Sequence, residues 1–183
     1  MSFCDDLRRF SIGVDPGNSA AIALVCRSRA GAAAELLGVW SIYGAPAPRA
    51  RRELEALQAM SAICTDEQDF FSIRIELPAA GGASANRNGW QLSVGRSIGW
   101  YEAVLQTWFV TRPEMVKANV WPRLVGVRCG KKGNGLHRVQ EARVRLVGAD
   151  CLVAGMEVDT IASRERRVAR AEACLIALAG LKS

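Results

Sequence analysis

The chain has 183 residues, of which 50% are hydrophobic and 23% are charged, and its formal net charge is +6. This length allows one well-buried core but is short for two ordinary domains, so we expect a single domain over residues 1–183. The apolar segments are too short to span a membrane and the start lacks the pattern of a signal peptide, so we expect neither.

The first two predicted strands form a hairpin whose first strand ends on a carboxylate. Strands at about 10–15 and 20–27 flank the tight turn at Pro16 and Gly17, and Asp15 lies at the inner end of the first strand. An unpaired aspartate in such a core-forming segment is costly unless a charged group meets it. A divalent metal is the usual partner, so Asp15 is a candidate ligand.

A second carboxylate ends another predicted strand. A strand at about 36–43 and a helix over Ala50–Cys64, with Leu54 and Leu57 on its apolar side, come first. A short β-type run then ends at Glu76, before a proline and a glycine-rich segment. Two strands that each deliver one carboxylate at the C-terminal end suit a metal site at a sheet edge.

A long amphipathic helix and a last strand are predicted next. Large apolar residues recur every three or four positions from Trp90 to Trp108, which is typical of a helix with one buried face. Residues near 107–110 and 115–121 are the candidates for the last strand.

The C-terminal part predicts two more helices. One covers about Leu136–Leu146, and the last covers about Ser163–Ala179, where Glu172 is one acid among small residues. Before them, the segment Arg128–Gly135 combines three glycines with Lys131 and Lys132. It lacks the Lys-Ser/Thr order of a Walker loop, so its lysines either contact a phosphate or lie in a solvated turn.

The basic residues are nearly all arginine, since lysine occurs only at positions 117, 131, 132 and 182. Guanidinium groups match phosphate geometry and stay charged, so a basic surface rich in them favours a polyanionic partner such as nucleic acid. The six cysteines are widely scattered with no close pairs, which argues against a zinc site and fits a reduced cytoplasm.

Each acid alone also fits an ordinary turn, strand end or solvated helix face, but their order along the chain is more specific. The hairpin Ser11–Val25 with Asp15, the strand that ends at Glu76 and the helix with Glu172 resemble the RuvC-type Holliday-junction resolvases, within the RNase H-like nucleases. The sequence of the last helix resembles that of compact phage-type members of the family. The resemblance implies an α/β fold: an RNase H-like mixed five-stranded sheet flanked by helices on both faces.

The resemblance also implies a function. Such an enzyme is a structure-selective endonuclease that resolves four-way DNA junctions by two-metal-ion hydrolysis, with symmetric nicks that leave 5′-phosphate and 3′-hydroxyl ends. Asp15, Glu76 and Glu172 would hold two Mg²⁺ ions, for which Mn²⁺ would substitute, and Asp15 would bridge them. We expect a homodimer, because a four-way junction has two symmetric strands to cut. The long helix with Gly95 and Gly99 is the expected dimer surface.

The sequence departs from the family pattern at the fourth ligand. The family often has two acids one turn apart on the last helix, whereas Ala169 stands three residues before Glu172 here. Glu165, two turns before Glu172 on the same face, is the candidate, although the arginines around it make a surface ion pair an equal alternative. Asp159 is a further candidate.

Two further family features concern the DNA. The family carries a basic residue near the scissile phosphate in the stretch before the final helix, and Lys131 or Lys132 matches it. The bacterial enzymes place an aromatic residue three positions after the strand glutamate, where this chain has Ala79. Junction opening would therefore depend on another residue, with Trp90 and Trp100 as candidates.

Two other functions remain open on the sequence alone. One is a nucleic-acid-binding module with a degenerate nuclease fold. The other is an actin-like or sugar-kinase-like ATPase, although the chain is short for such two-lobed proteins and no second phosphate loop is evident. The expected location is the cytoplasm, or the host cytoplasm if the protein is encoded by a phage.

Overall fold

The computed structural model describes residues 8–17, 19–28, 32–44, 46–64, 70–77, 88–127, 135–152 and 160–182. These residues form six strands, five α-helices and a 3-10 turn at Ala149–Leu152. The strands are β1 (Arg9–Asp15), β2 (Ala20–Arg27), β3 (Ala34–Ile42), β4 (Phe70–Leu77), β5 (Glu114–Lys117) and β6 (Leu146–Val147). The helices are α1 (Pro46–Ile63), α2 (Asn88–Phe109), α3 (Trp121–Val125), α4 (Leu136–Arg145) and α5 (Ile161–Gly180).

The strands form one mixed sheet in the order β5-β4-β1-β2-β3-β6. β1 pairs antiparallel with β2 and parallel with β4, while β2 pairs antiparallel with β3. The predicted α/β architecture is confirmed, with six strands instead of five. The extra strand is β6, whose two residues pair with Ala34 and Glu35, too short a run to leave a periodic signal in the sequence.

Helices cover both faces of the sheet. On one face, Ile12, Ile22 and Leu24 pack in a core that includes residues of α1 and α2. On the other face, Ala21 and Ala23 pack in a second core with α3, α4 and α5. Strand β2 is therefore buried on both sides, which explains its nearly continuous apolar sequence. Among the described helices, none combines the length and the apolar character that a bilayer crossing needs.

Helix α5 lies directly on β1 at Gly13, where no side chain separates the two backbones. A Cβ atom added at Gly13 would overlap the carbonyl oxygen of Ala173 and the amide nitrogen of Ala177. At the far end of the helix, a Cβ atom at Gly180 would overlap the Ser11 hydroxyl. Glycine is therefore required at Gly13 by the close approach of the two backbones, whereas at Gly180 the Ser11 and Ser72 side chains occupy the space that a Cβ atom would need.

Helix α1 differs from its predicted start and buried face. It begins at Pro46, because proline is tolerated in the first turn of a helix. Leu54 is 48% exposed, whereas Glu53 is buried. The Glu53 carboxylate accepts hydrogen bonds from the Tyr101 hydroxyl at 3.1 Å and from Arg49 at 3.3 Å. These partners allow Glu53 to occupy a core position, whereas the apolar pattern had placed Leu54 on the buried side.

The predicted last strand also needs correction. Residues 107–109 belong to α2, which continues to Phe109. The stretch 115–121 divides into strand β5, which ends at Lys117, and helix α3, which begins at Trp121. Pro122 in the first turn of α3 suits a helix start better than a strand interior.

We expect Gly13→Ala to lower the free energy of unfolding by at least about 1–3 kcal/mol, because the new methyl group meets backbone atoms that no side-chain rotation can move. Urea denaturation at low protein concentration measures this. Gly95→Ala is the matched control: nothing lies within 4 Å of a Cβ atom there, and alanine in an exposed helix is favoured over glycine by up to about 1 kcal/mol. Equal midpoints for Gly13→Ala and the wild type would contradict the close packing.

Candidate metal centre

Three carboxylates meet at one edge of the sheet. Asp15 is the last residue of β1, and Glu76 lies at the corresponding end of β4. Because β1 and β4 are parallel neighbours, with Val14 opposite Ile75, their carboxyl ends lie side by side. Helix α5 packs across the same strands and supplies Glu172.

The three carboxylates are close enough to share a cation. One oxygen from each of Asp15, Glu76 and Glu172 lies within 4.8 Å of the other two. Asp15 and Glu76 are largely buried and Glu172 is partly exposed, so the cluster is recessed but keeps access to solvent at Glu172. No other cluster of three such groups occurs among the described residues.

Burial and mutual repulsion disfavour the charged forms of two of these acids. The pKa of Asp15 is raised from 3.8 to about 6 by burial, although the Gly17 amide and the charge of Arg138 lower it. The pKa of Glu76 is raised from 4.5 to about 7 by burial and by the charge of Asp15, against the lowering effect of Trp121 and Arg138. The hydrogen bonds and the positive charge that the protein supplies therefore do not fully offset the cost of ionising these two acids.

The donor set fits a hard divalent cation. Three carboxylates supply oxygen atoms only, which suits Mg²⁺ or Mn²⁺ rather than a metal that prefers nitrogen or sulfur. A bound dication would also favour the charged forms of Asp15 and Glu76, whose pKa values are raised without it. The residues present therefore fit the metal that the resemblance implies.

Two hydrogen bonds orient the strand-end acids. The backbone N–H of Gly17 donates to Asp15 Oδ1 at 3.2 Å, so the turn after β1 holds its carboxylate. The indole Nε1–H of Trp121 donates to Glu76 Oε1 at 3.1 Å. Trp121 is fully buried, so Glu76 is held from the protein interior.

Among the described residues, Arg138 brings positive charge to the site. Its guanidinium pairs with the Glu172 carboxylate, and it lies 5.7 Å from the centre of the Trp121 ring. The sequence interpretation missed Arg138 and favoured Lys131 and Lys132, which lie outside the described residues. Arg138 is in the first turn of α4, shortly after those lysines in the sequence. The helical spacing of the buried Val139 and Ala142 gives no sign that Arg138 pairs with Glu172.

Trp121 was missed for a different reason. The sequence placed it at the end of a strand, where a large aromatic residue is an ordinary core residue. Its indole N–H meets an acid that is 45 positions earlier in the chain. Local patterns carry no information on such a contact.

Glu165, the first candidate for a fourth ligand, is not brought to the cluster. Glu165 is exposed, and it lies two turns before Glu172 on α5, about 10 Å along the helix axis. Ala169, at the position where the family often has an acid, is buried in the core. Asp159 lies outside the described residues.

Comparisons with known proteins concern the fold. No family model matches the sequence, and a search of curated proteins finds no significant relative. Two structures of Thermus thermophilus RuvC are similar to this chain. One, in complex with a Holliday junction substrate, has TM-score 0.61 and 18% identity over 93% of this chain and 91% of that chain. The other has TM-score 0.60 and 16% identity over 94% and 93%.

A third similar structure comes from a eukaryote. It is the yeast mitochondrial Holliday junction resolvase Ydc2, with TM-score 0.52 and 12% identity over 97% of this chain and 79% of that chain. The resemblance that the sequence indicated is thus confirmed in the structure: this chain has the RNase H-like fold of the RuvC-type resolvases.

Proposed function

We propose that the protein is a metal-dependent endonuclease that resolves four-way DNA junctions. The observation that supports this most directly is the meeting of Asp15, Glu76 and Glu172 at one sheet edge, in a fold shared with junction resolvases. Three oxygen ligands in a recessed but accessible site suit a hydrolytic reaction on a phosphodiester. The basic net charge favours a polyanionic substrate.

The three carboxylates would hold Mg²⁺, or Mn²⁺ in its place, and we propose two ions per site. Bound there, the ions would activate water and neutralise the charge that develops on the leaving oxygen. The oxygen of water bonds to phosphorus, the bond from phosphorus to the 3′ oxygen breaks, and a proton goes to that oxygen. The products are a 5′-phosphate and a 3′-hydroxyl.

The surrounding residues position the ligands and moderate their charge. Gly17 and Trp121 fix the Asp15 and Glu76 carboxylates by hydrogen bonds, so little reorganisation is needed when a cation binds. Arg138 pairs with Glu172 from the side of α4 and adds positive charge beside the acids. We assign to Arg138 the contact with the scissile phosphate that the sequence assigned to Lys131 or Lys132.

A two-fold dimer would present two such sites to one junction. Gly95 and Gly99 of α2 are exposed, with no atom within 4 Å of a Cβ placed at either position. On the same helix, Trp100 is 51% exposed and Trp108 is 41% exposed. Open glycines and exposed aromatic rings on one helix support α2 as the dimer surface. We further propose a single domain that acts in the cytoplasm.

We expect Asp15→Asn and Glu172→Gln each to reduce the cleavage rate about 10²-fold or more, because each substitution removes a charged metal ligand. Affinity for the junction in Ca²⁺ should persist. The measurement is nicking of a four-way junction beside a duplex of the same sequence, with the positions of the two nicks mapped.

The control is Glu165→Gln, which should cut near the wild-type rate, since Glu165 is about 10 Å from Glu172 along α5. A Glu172→Gln variant that cuts at the wild-type rate excludes this ligand. A wild-type protein that binds junctions but never cuts them supports a degenerate binding module.

Raising the pH and adding a metal ion should have opposite effects on the stability of the metal-free protein. The folded-state pKa values of Asp15 and Glu76, about 6 and about 7, exceed their ordinary values, so the folded state binds the extra protons. The metal-free protein should therefore lose stability as pH rises through the range from about 4 to about 7. Mg²⁺ binds the ionised acids, so it should raise Tm by several degrees near pH 8 and hardly at all near pH 5. Thermal unfolding with Mg²⁺ or with EDTA tests this, and the same Mg²⁺ effect in Asp15→Asn would refute it.

Arg138→Ala should slow cleavage about 10- to 100-fold at saturating protein, because a positive group beside the reacting phosphate is lost. Arg138→Lys should restore part of the rate. Arg143→Ala is a matched control on the same helix, since its guanidinium pairs at the surface with Asp150 at 2.9 Å. Single-turnover rates separate chemistry from binding. Equal rates for Arg138→Ala and Arg143→Ala would remove Arg138 from the site.

A further inference from the structure

A second group of positive charges surrounds an aromatic ring just after β3. The guanidinium carbon of Arg52, from α1, is 4.1 Å from the centre of the Tyr43 ring. The guanidinium carbon of Arg166, from α5, is 4.7 Å from the same centre. Three elements thus converge on one ring, and both cations lie within the range of a cation–π contact. We call Tyr43, Arg52 and Arg166 the Tyr43 cluster.

Among the residues that the structure describes, no acid neutralises the charges of the Tyr43 cluster. Arg52 donates to the Tyr43 carbonyl oxygen at 2.7 Å, and Arg166 donates to the Ala162 carbonyl oxygen at 3.1 Å. Across the described parts of the chain, neither guanidinium forms an ion pair with a carboxylate. Both side chains are only half-buried, so donors remain available to a ligand.

A third arginine extends this positive surface. Arg170, one helical turn after Arg166, donates to the Ser41 hydroxyl at 2.7 Å. Burial lowers its pKa, and the charge of Arg166 contributes to that shift, so the two guanidiniums are close enough to repel each other. Neighbouring cations that repel each other are a suitable site for an anion with several oxygen acceptors.

The Tyr43 cluster lies on the same sheet edge as the carboxylates. Asp15 pairs with Ala21, and Ala21 pairs with Ser41, so two strand spacings of about 5 Å each separate Asp15 from Ser41. Along α5, Arg166 precedes Glu172 by six residues, about 9 Å. A DNA strand advances about 3.4 Å per nucleotide, so this distance corresponds to a few nucleotides.

We propose that the Tyr43 cluster, with Arg170 beside it, binds a backbone phosphate of the cleaved DNA strand, a few nucleotides from the scissile phosphate. Guanidinium forks match phosphate oxygens, and the Tyr43 ring holds two of them in place, so less side-chain freedom is lost on binding. Such a contact fixes the register of the strand across the carboxylates without reading its sequence. This inference rests on the proposed nuclease function and adds the residues that position its substrate.

The first test is the salt dependence of junction binding by the full chain in Ca²⁺, which blocks turnover. Arg166→Gln should weaken binding about tenfold and make the slope of log K against log salt shallower by about 0.9, the value for one phosphate contact. Arg51→Gln is the matched control: it lies beside Arg52 on α1, it is exposed, and it pairs with Glu55 at 2.8 Å. Its slope should equal that of the wild type. Arg166→Lys should retain the slope, and unchanged thermal unfolding of these variants shows that they fold.

The second test locates the phosphate. Junctions are made with a single uncharged methylphosphonate at each position within about four nucleotides of the cut. For the wild type, a methylphosphonate at one position on one side of the cut should weaken binding about tenfold. For Arg166→Gln, the same substitution should cost little more, because the partner is already lost.

The outcomes separate the two proposals. A wild-type protein that binds and cuts junctions, with Arg166→Gln no weaker than Arg51→Gln, overturns the Tyr43 cluster and leaves the nuclease standing. The same conclusion follows if each methylphosphonate weakens binding equally in the wild type and in Arg166→Gln. A wild-type protein that binds no junction overturns both proposals.

Discussion

The contact between α5 and β1 sets the geometry of the whole site. At Gly13 the helix backbone meets the strand backbone directly, and Ala173 and Ala177 are the residues on the helix side. Only small residues allow this approach, and a single added carbon would move the helix outward. Because Glu172 is next to Ala173, its distance from the two strand-end acids depends on that contact. The packing of the core therefore determines the spacing of the carboxylates.

The close placement of Asp15, Glu76 and Glu172 lowers the stability that this packing provides. Burial raises the pKa of Asp15 and of Glu76, which means that holding their charged forms at neutral pH costs folding free energy relative to the unfolded chain. The Gly17 amide, the Trp121 indole and Arg138 offset the effect in part. A protein selected for stability alone would place apolar residues at this edge. The remaining imbalance is what a divalent cation would correct, and it supports a site built for binding.

The sequence was sufficient where the signal is local. The two strands that end at Asp15 and Glu76 follow from apolar runs and their turns, and parallel strands bring those ends together. Glu172 needed the resemblance, because an acid on a helix has no local mark of its partners. The buried Glu53, the exposed Leu54 and the bond from Trp121 to Glu76 were not predictable, since each depends on residues distant in the chain. The two-residue β6 is stabilised by its neighbour β3 and not by its own sequence.

The distribution of charge along the sheet edge resolves a conflict in the proposed function. Three carboxylates repel the phosphates of DNA, yet the proposed reaction requires a phosphate to reach them. Arg138 adds positive charge on the side of α4, and the arginines around Tyr43 add it on the side of α1 and the first half of α5. A polyanion attracted to both sides would cross the acids between them, where a bound cation replaces repulsion with attraction. Binding and catalysis would then use separate groups on one edge, so that loss of a carboxylate stops cleavage while the strand is still held.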